Sequence, residues 1–193
     1  MSDEEVIAFQ VQYAKILYCL QRLPAFTVAA VQGTAMGAAI GLLCACDYVV
    51  SVKGAFFTMS ETKLGAVPTT SIPYITRRCT FIKNVYQLVL AGAKLPAEEA
   101  KSYGFVDMVV EEAKDLEVEC SHMCDRMSLC APGAVAATKE AVLNTVGVPP
   151  SSFMTNYIAG VVADIRKGPE CKAGIQAVQS KSRPKWADTP IVP

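Results

Sequence analysis

Runs of apolar residues, some at helical spacing and some continuous, mark the predicted elements of this chain. Residues 4–22 carry apolar side chains at helical spacing, and the Leu23-Pro24 pair ends that helix. Residues 26–31 form a β-branched, apolar run that is typical of a buried strand. Two further short strands are predicted at 47–52 and 55–58. The first three predicted strands therefore lie in the first third of the chain and follow one long predicted helix.

Helices dominate the rest of the chain. Residues 60–68 are predicted as a loop, and one later strand is predicted at 105–110. The predicted helices cover 37–46, 72–76, 81–91, 96–104, 112–130, 134–145 and 151–179, the last with a break near Gly168-Pro169. Strands buried between helices, followed by a helical C-terminal third, predict an α/β fold. The tail Thr189–Pro193 is predicted to be loose.

Composition and charge narrow the class of protein. The chain has 193 residues, of which 52% are hydrophobic and 19% charged, which is typical of a globular domain with a sizeable core. The formal net charge is zero, so bulk charge gives no indication of a nucleic-acid or membrane partner. The most apolar stretch, 35–50, is too short to span a bilayer and contains Asp47. The acidic N-terminus is unlike a signal or transit peptide, so we expect a cytoplasmic protein, with an organellar location left open.

The eight cysteines lie in apolar runs or helix-like segments, which favours reduced thiols of an intracellular protein over disulfides. Cys120-Ser-His-Met-Cys124 holds the only histidine, His122. Its spacing is not that of a zinc site, and no second Cys/His pair lies nearby. The sequence therefore predicts no metal site.

The stretch from Val31 to Asp47 is rich in small residues, with glycines at 33, 37 and 41. This spacing matches neither a dinucleotide fingerprint nor a P-loop. It predicts a strand, a turn at Gly33 and a helix that starts near Gly37. The first N–H groups of such a helix have no intrahelical acceptor and could hold an oxyanion. Small residues also serve close helix–strand packing, and the stretch alone leaves both interpretations open.

Glu61 lies among apolar neighbours, after a predicted strand and before Gly65 and Pro68. A carboxylate in such surroundings is a candidate proton donor or acceptor. The alternative is a solvated loop residue paired with Lys63.

Seven segments, taken in order, resemble the crotonase superfamily, which includes the enoyl-CoA hydratases and isomerases. They are Ala30-Val-Gln-Gly33, Gly37-Ala-Ala, Cys46-Asp47, Ser60-Glu61-Thr-Lys-Leu-Gly65-Ala-Val-Pro68, 90–106, Ala137-Thr-Lys-Glu140 and Lys181-Ser-Arg-Pro-Lys-Trp186. The resemblance implies a crotonase-like (ClpP/crotonase) spiral of β-β-α units with a helical C-terminal region. It also implies an α/β core at 1–130 and a helical trimerisation region at 131–193.

The resemblance further implies the chemistry. Family members bind an acyl thioester of coenzyme A or of a carrier protein and stabilise an enolate with backbone N–H groups. Here Glu61 would carry the proton, and the Ala38 N–H beside Gly37 would face the oxyanion. Gly65 and Pro68 would line the substrate site. No cofactor is implied, since coenzyme A or phosphopantetheine belongs to the substrate.

Two departures from the family pattern widen the choice of reaction. Family hydratases carry a second glutamate, and its position is occupied by Gly41. A single glutamate is typical of the family's Δ3,Δ2-enoyl-CoA isomerases, and also resembles the dehydratases and decarboxylases of polyketide β-branching. The chain begins near the helix that follows the family's first strands, so we expect an N-terminally incomplete fold. The predicted function is an enoyl isomerase or hydratase-dehydratase, as a homotrimer or hexamer. The alternative is a non-catalytic, truncated crotonase-like oligomerisation or binding protein.

Overall fold

The computed structural model describes residues 2–188, which divide into two compact units. The first unit comprises the chain up to Gln21 together with Thr27–Cys120. The second comprises Arg22–Phe26 and the chain from Ser121 onward. The tail Thr189–Pro193, predicted to be loose, lies outside the described residues. The predicted domain boundary at residue 130, and the trimerisation role of the segment after it, stay predictions.

The strands of the first unit form two three-stranded sheets. The strands are β1 (Val28–Val31), β2 (Ala35–Met36), β3 (Tyr48–Val52), β4 (Phe56–Thr58), β5 (Lys94–Pro96) and β6 (Met108–Val110). One sheet has the order β1-β3-β6 and is parallel throughout. The other has the order β2-β4-β5, in which β2 is parallel and β5 antiparallel to β4. The strands β1 to β4 thus alternate between the two sheets, as expected for repeated β-β-α units, whereas β5 stays in the second sheet and β6 returns to the first.

Most predicted helices are confirmed to within a few residues. In the first unit they are α1 (Asp3–Gln21), α2 (Ala38–Ala45), α3 (Ile72–Arg78), α4 (Ile82–Val89) and α5 (Ala97–Tyr103). α6 (Ala113–Ser128) begins in the first unit and ends in the second. The second unit also holds α7 (Pro132–Thr145), α8 (Ser152–Lys167) and α9 (Pro169–Gln179), and Gly168 separates α8 from α9 as predicted. Short 3₁₀ helices cover Glu61–Leu64 and Lys185–Asp188. The predicted α/β class is confirmed.

Two short strands were not predicted, and each has a local reason. β2 has only two residues, Ala35 and Met36, which is too short to show a period. β5 ends on Pro96, which we had assigned to the first turn of a helix. β5 lies at the edge of its sheet, where a residue without an N–H group is tolerated. The helix therefore begins one residue later, at Ala97.

The core of the first unit surrounds β3, the central strand of its sheet. Val49 and Val50 on this strand are fully buried. The largest buried side chains packed in this unit are Phe57, Leu17, Ile40, Met59, Ile75, Leu88 and Leu95. α1 buries Leu17 alone, so most of its apolar positions stay exposed.

Asp47, the lone acid that follows the small-residue stretch, has a structural role. Its Oδ2 accepts hydrogen bonds from the Thr27 N–H at 2.8 Å and the Thr27 hydroxyl at 2.9 Å. The Asp47 N–H donates to Thr27 Oγ1 at 3.0 Å. These bonds join the residues that precede β1 and β3, so Asp47 fixes where the two parallel strands begin.

Arg78 also has a structural role. Its guanidinium donates to the Cys46 carbonyl at 2.9 Å and the Phe105 carbonyl at 3.2 Å, and it forms an ion pair with Asp107. Arg77 is exposed. Arg78 therefore links α3 to the chain segments that flank β3 and β6.

We expect Arg78→Ala to lower the free energy of unfolding by about 3 kcal/mol, because it removes the ion pair with Asp107 and the donor to two carbonyls. Urea denaturation followed by circular dichroism measures this loss. Arg77→Ala is the matched control and should change stability by less than about 0.5 kcal/mol. Equal effects of the two substitutions would contradict the structural role of Arg78.

Three further expectations from the sequence concern a membrane span, a metal site and the cysteines. Among the helices of residues 2–188, none is both long and apolar enough to cross a bilayer. No group of three or more metal-ligating side chains occurs within the same residues. Cys44 is buried, and this burial raises the pKa of its thiol to about 12, so the thiol stays protonated at neutral pH.

Candidate active site

Glu61 is the first residue of the 3₁₀ helix Glu61–Leu64, directly after the segment that leaves β4. This helix ends at Gly65, whose φ of 74° lies in the left-handed region that glycine favours. The Gly65 N–H donates to the Thr62 carbonyl at 3.2 Å, and the Ala66 N–H donates to the Glu61 carbonyl at 2.9 Å. The turn therefore holds the backbone of Glu61 in a defined position.

Two side chains anchor the same 3₁₀ helix to the end of α4. The Thr62 hydroxyl donates to the Leu90 carbonyl at 3.1 Å. Lys63 Nζ donates to the Gly92 carbonyl at 2.6 Å. Because Lys63 is engaged there, the alternative in which it pairs with a solvated Glu61 is wrong.

Gly37 brings the start of α2 close to β4. Its N–H donates to the Thr58 carbonyl at 3.1 Å, and its own carbonyl accepts the Ile40 N–H at 2.9 Å. Its φ of 59° and ψ of −126° are accessible to glycine and strained for other residues. The glycine predicted at this helix start is thus required by the backbone conformation.

The Glu61 carboxylate lies against Gly37. A β-carbon built on Gly37 would be 3.1 Å from Glu61 Oε1 and 3.9 Å from its carboxyl carbon. The other oxygen, Oε2, is buried and has no hydrogen-bond partner among the described residues. A buried acceptor left without a donor costs about 1–3 kcal/mol, which makes Glu61 a candidate functional group.

Ala38 is the first residue of α2 and is exposed. Alanine fits there because the residue is helical, so the β-carbon causes no strain. No preceding helical carbonyl can accept the Ala38 N–H. The α2 dipole favours negative charge at this end, whether of the Glu61 carboxylate or of a bound oxyanion. The structure thus brings Gly37, Ala38 and Glu61 together.

Two hydroxyl groups that the sequence did not indicate, one on α1 and one before α3, lie against the first turn of α2. The Tyr13 hydroxyl donates to the Ala38 carbonyl at 2.5 Å and lies 3.1 Å from the Ser71 hydroxyl. Burial raises the pKa of Tyr13, the hydrogen bond with Ser71 opposes this shift, and the Glu61 charge adds a smaller increase. Tyr13 therefore stays protonated at neutral pH.

The two hydroxyls occupy the space beside Gly41. A β-carbon on Gly41 would overlap the Tyr13 hydroxyl and lie 2.5 Å from Ser71 Oγ. Any side chain at position 41, a second glutamate included, would displace this pair. The structure thus gives a steric reason for the missing carboxylate.

We expect Gly41→Ala to lower the free energy of unfolding by about 1–3 kcal/mol, because the added methyl group overpacks a filled site. Thermal unfolding followed by circular dichroism measures the change. In the Tyr13→Phe background the same substitution should cost less, since the overlapping oxygen is gone. An equal cost in both backgrounds would contradict the steric explanation.

Gly65 and Pro68 have visible backbone roles. Gly65 closes the 3₁₀ helix, and the half-buried Pro68 accepts the Ser71 N–H on its carbonyl at 3.1 Å. This bond starts the turn that leads into α3 and places Ser71. The substrate contacts predicted for Gly65 and Pro68 stay predictions.

The sequence carried a weak signal for Tyr13 only. Tyr13 occupies a position in the apolar pattern of α1, and this pattern does not indicate that its hydroxyl group has polar partners. Ser71 lies in the segment before α3, where a serine is ordinary. Their pairing joins residues 58 positions apart, which no local pattern can indicate.

Comparison with known proteins settles the family. The family model described as enoyl-CoA hydratase/isomerase matches residues 3–189. The chain belongs to this family. The enoyl-CoA isomerase/hydratase fer4 of Mycosarcoma maydis is 30% identical over 143 residues, which are 74% of this chain and 52% of the relative. The carnitinyl-CoA dehydratase of Salmonella typhi is 29% identical over 162 residues, which are 82% of this chain and 62% of the relative.

Solved structures agree with the fold, among them an enoyl-CoA hydratase/isomerase from Marinobacter aquaeolei with a TM-score of 0.86 at 30% identity, over 93% of this chain and 67% of that chain. AtuE of Pseudomonas aeruginosa superposes with a TM-score of 0.92 at 28% identity, over 97% of this chain and 72% of that chain. The predicted crotonase-like fold is therefore confirmed. The chain spans 52% and 62% of the lengths of the two curated relatives above, so the activity of a complete family member is a matter for proposal.

Proposed function

We propose that this chain forms the part of an acyl-thioester site that transfers the proton. The site would act on an enoyl or 3-hydroxyacyl thioester through an enolate. One observation carries the proposal. Glu61 presents a buried, unpartnered carboxylate oxygen while its other oxygen lies against Gly37, at the start of α2. A base and a set of free N–H donors thus meet at one point of the fold.

The chemistry follows from this juxtaposition. Removing a proton from the carbon next to a thioester moves negative charge onto the thioester oxygen. The Ala38 N–H, at the positive end of α2, is the donor that would face this oxygen. Glu61 would accept the proton and return it to a different carbon in an isomerisation. In a dehydration, Glu61 would instead return the proton to the β-hydroxyl group, whose bond to carbon breaks so that water leaves and the enoyl thioester forms.

The filled space beside Gly41 favours a single carboxylate as the proton carrier. This supports isomerisation or dehydration over water addition by a glutamate pair. The two curated relatives are named as an isomerase/hydratase and a dehydratase of CoA thioesters, which supports CoA as the carrier. A carrier-protein thioester, as in polyketide β-branching, is the second substrate class to test.

The remaining elements of the proposal are untested. We propose that the protein needs no cofactor beyond the coenzyme A or phosphopantetheine of its substrate. We also propose a homotrimer or hexamer, as the family resemblance implies. The predicted cytoplasmic location stays a prediction.

The direct test is exchange of the α-carbon hydrogen in heavy water, read by mass spectrometry. Butyryl-CoA, butyryl-pantetheine and a butyryl carrier protein serve as separate substrates, and buffer without protein gives the background rate. Exchange above background supports the proposal, and the preferred thioester identifies the carrier. A folded protein that exchanges none of the three would overturn the proposal and favour the non-catalytic alternative.

A further inference from the structure

Three polar groups form a directed chain of hydrogen bonds behind the first turn of α2. Tyr13 on α1 donates its only hydroxyl proton to the Ala38 carbonyl at 2.5 Å. Its contact with Ser71 at 3.1 Å therefore requires Ser71 to donate and Tyr13 to accept. Because the Tyr13 hydroxyl group has a single proton, donation runs from Ser71 to Tyr13 and from Tyr13 to the Ala38 carbonyl.

The Ser71 end of this series of hydrogen bonds is buried in the core. Ser71 is only 3% exposed, and Pro68 accepts its N–H. Tyr13 is half-buried, and its raised pKa keeps the proton that the chain needs. Gly41 supplies the space for both hydroxyls. Residues from α1, α2 and the segment before α3 therefore share one arrangement.

The last acceptor of the chain lies beside the donors of the proposed site. Ala38 contributes its N–H at the start of α2, and its carbonyl belongs to the same peptide as the Ala39 N–H. A hydrogen bond to that carbonyl restrains the residue that supplies the Ala38 N–H, the donor of the proposed site. It also fixes the orientation of the first turn, which contains both N–H groups.

We propose that Tyr13, supported by Ser71, is a positioning residue that holds the first turn of α2 so that the Ala38 N–H faces the thioester oxygen. This inference rests on the proposed function and adds a residue to that same site. Tyr13 acts through the Ala38 carbonyl and is not assigned a proton transfer of its own. Its effect should appear in the reaction rate rather than in substrate affinity.

The test compares Tyr13→Phe and Ser71→Ala with the unmodified protein. Tyr13→Phe keeps the ring and removes the hydrogen bond, so kcat for α-hydrogen exchange should fall about five- to tenfold while KM changes less than about twofold. Ser71→Ala, one step further from the site, should lower kcat about two- to threefold. Tyr103→Phe is the matched control, because it removes a hydroxyl bonded to Glu99 on α5 and should leave both parameters unchanged.

A second readout separates positioning from loss of structure. Cinnamoyl-CoA has a conjugated thioester, and its absorption moves to longer wavelength when the carbonyl oxygen is held by strong donors. The shift on binding should be smaller in Tyr13→Phe than in the unmodified protein, at full occupancy in both. The melting temperature of each variant shows whether it folds. If Tyr13→Phe does not fold, the kcat and the spectral shift of Ser71→Ala test the inference.

Each outcome supports or overturns the inference. A fall in kcat with a reduced spectral shift supports it. Exchange in the unmodified protein with unchanged kcat in Tyr13→Phe and Ser71→Ala overturns it and leaves the proposed function standing. A raised KM with unchanged kcat also overturns it. Absence of exchange in the unmodified protein overturns the proposed function and this inference together.

Discussion

Glu61→Gln should lower the rate of α-hydrogen exchange by about a thousandfold while the fold stays intact. The amide has nearly the shape of the carboxylate but cannot accept the proton from carbon. Glu61 is the group that meets the start of α2, with Oε1 beside Gly37 and Oε2 without a partner. Nothing else described in that position can take over as a base. Mass spectrometry of the thioester after incubation in heavy water measures the rate.

Two controls make this result specific. Glu98→Gln neutralises an exposed carboxylate on α5 and should leave exchange unchanged. Glu61→Asp keeps the charge but withdraws it by one methylene group, so it should retain activity between that of glutamine and glutamate. If Glu61→Gln exchanged at the unmodified rate, Glu61 would not be the proton carrier.

Gly37→Ala should reduce exchange about a hundredfold, because its β-carbon would push on the Glu61 carboxylate at 3.1 Å. The backbone adds a second effect, since a φ of 59° with a ψ of −126° strains alanine by about 1–3 kcal/mol. The measurement combines the exchange rate with the free energy of unfolding. Stability should fall by the strain, and the rate should fall beyond what the unfolded fraction explains.

Gly54→Ala is the matched control for this substitution. Gly54 lies in the turn between β3 and β4, and a β-carbon there would meet nothing within 4 Å. Its rate and stability should both be close to those of the unmodified protein. A Gly37→Ala protein that kept its full exchange rate would show that the Gly37–Glu61 contact has no part in the reaction.

Much of the fold followed from the sequence because its strongest elements are long or strongly apolar. The α1 pattern, the β3 run and the helices after residue 112 each carried a clear period or length. β2 was not predicted because two residues carry no period, and β5 was not predicted because Pro96 at its end favours the start of a helix. Their pairing partner, β4, decides where they form, and pairing between distant segments is a tertiary effect.

The candidate site was predictable in part. Glu61 and Gly37 could be proposed separately from their neighbours, but only the fold places the carboxylate against the glycine. The structural role of Arg78 could not be predicted because its acceptors, the carbonyls of Cys46 and Phe105, lie far from it in sequence. Tyr13 escaped for the same reason, since Ala38 is 25 positions away. Long-range hydrogen bonds leave no trace in local spacing.

The unpartnered oxygen of Glu61 creates a trade-off between thermal stability and the proposed activity. An oxygen buried without a donor lowers the stability of the native state, by about 1–3 kcal/mol. An apolar residue of similar length, such as methionine at position 61, would remove that cost and raise the melting temperature. Engineering or evolution that selected only for heat resistance would therefore discard this glutamate first. Its retention in a lineage would be a sign that selection acts on chemistry and not on the fold alone.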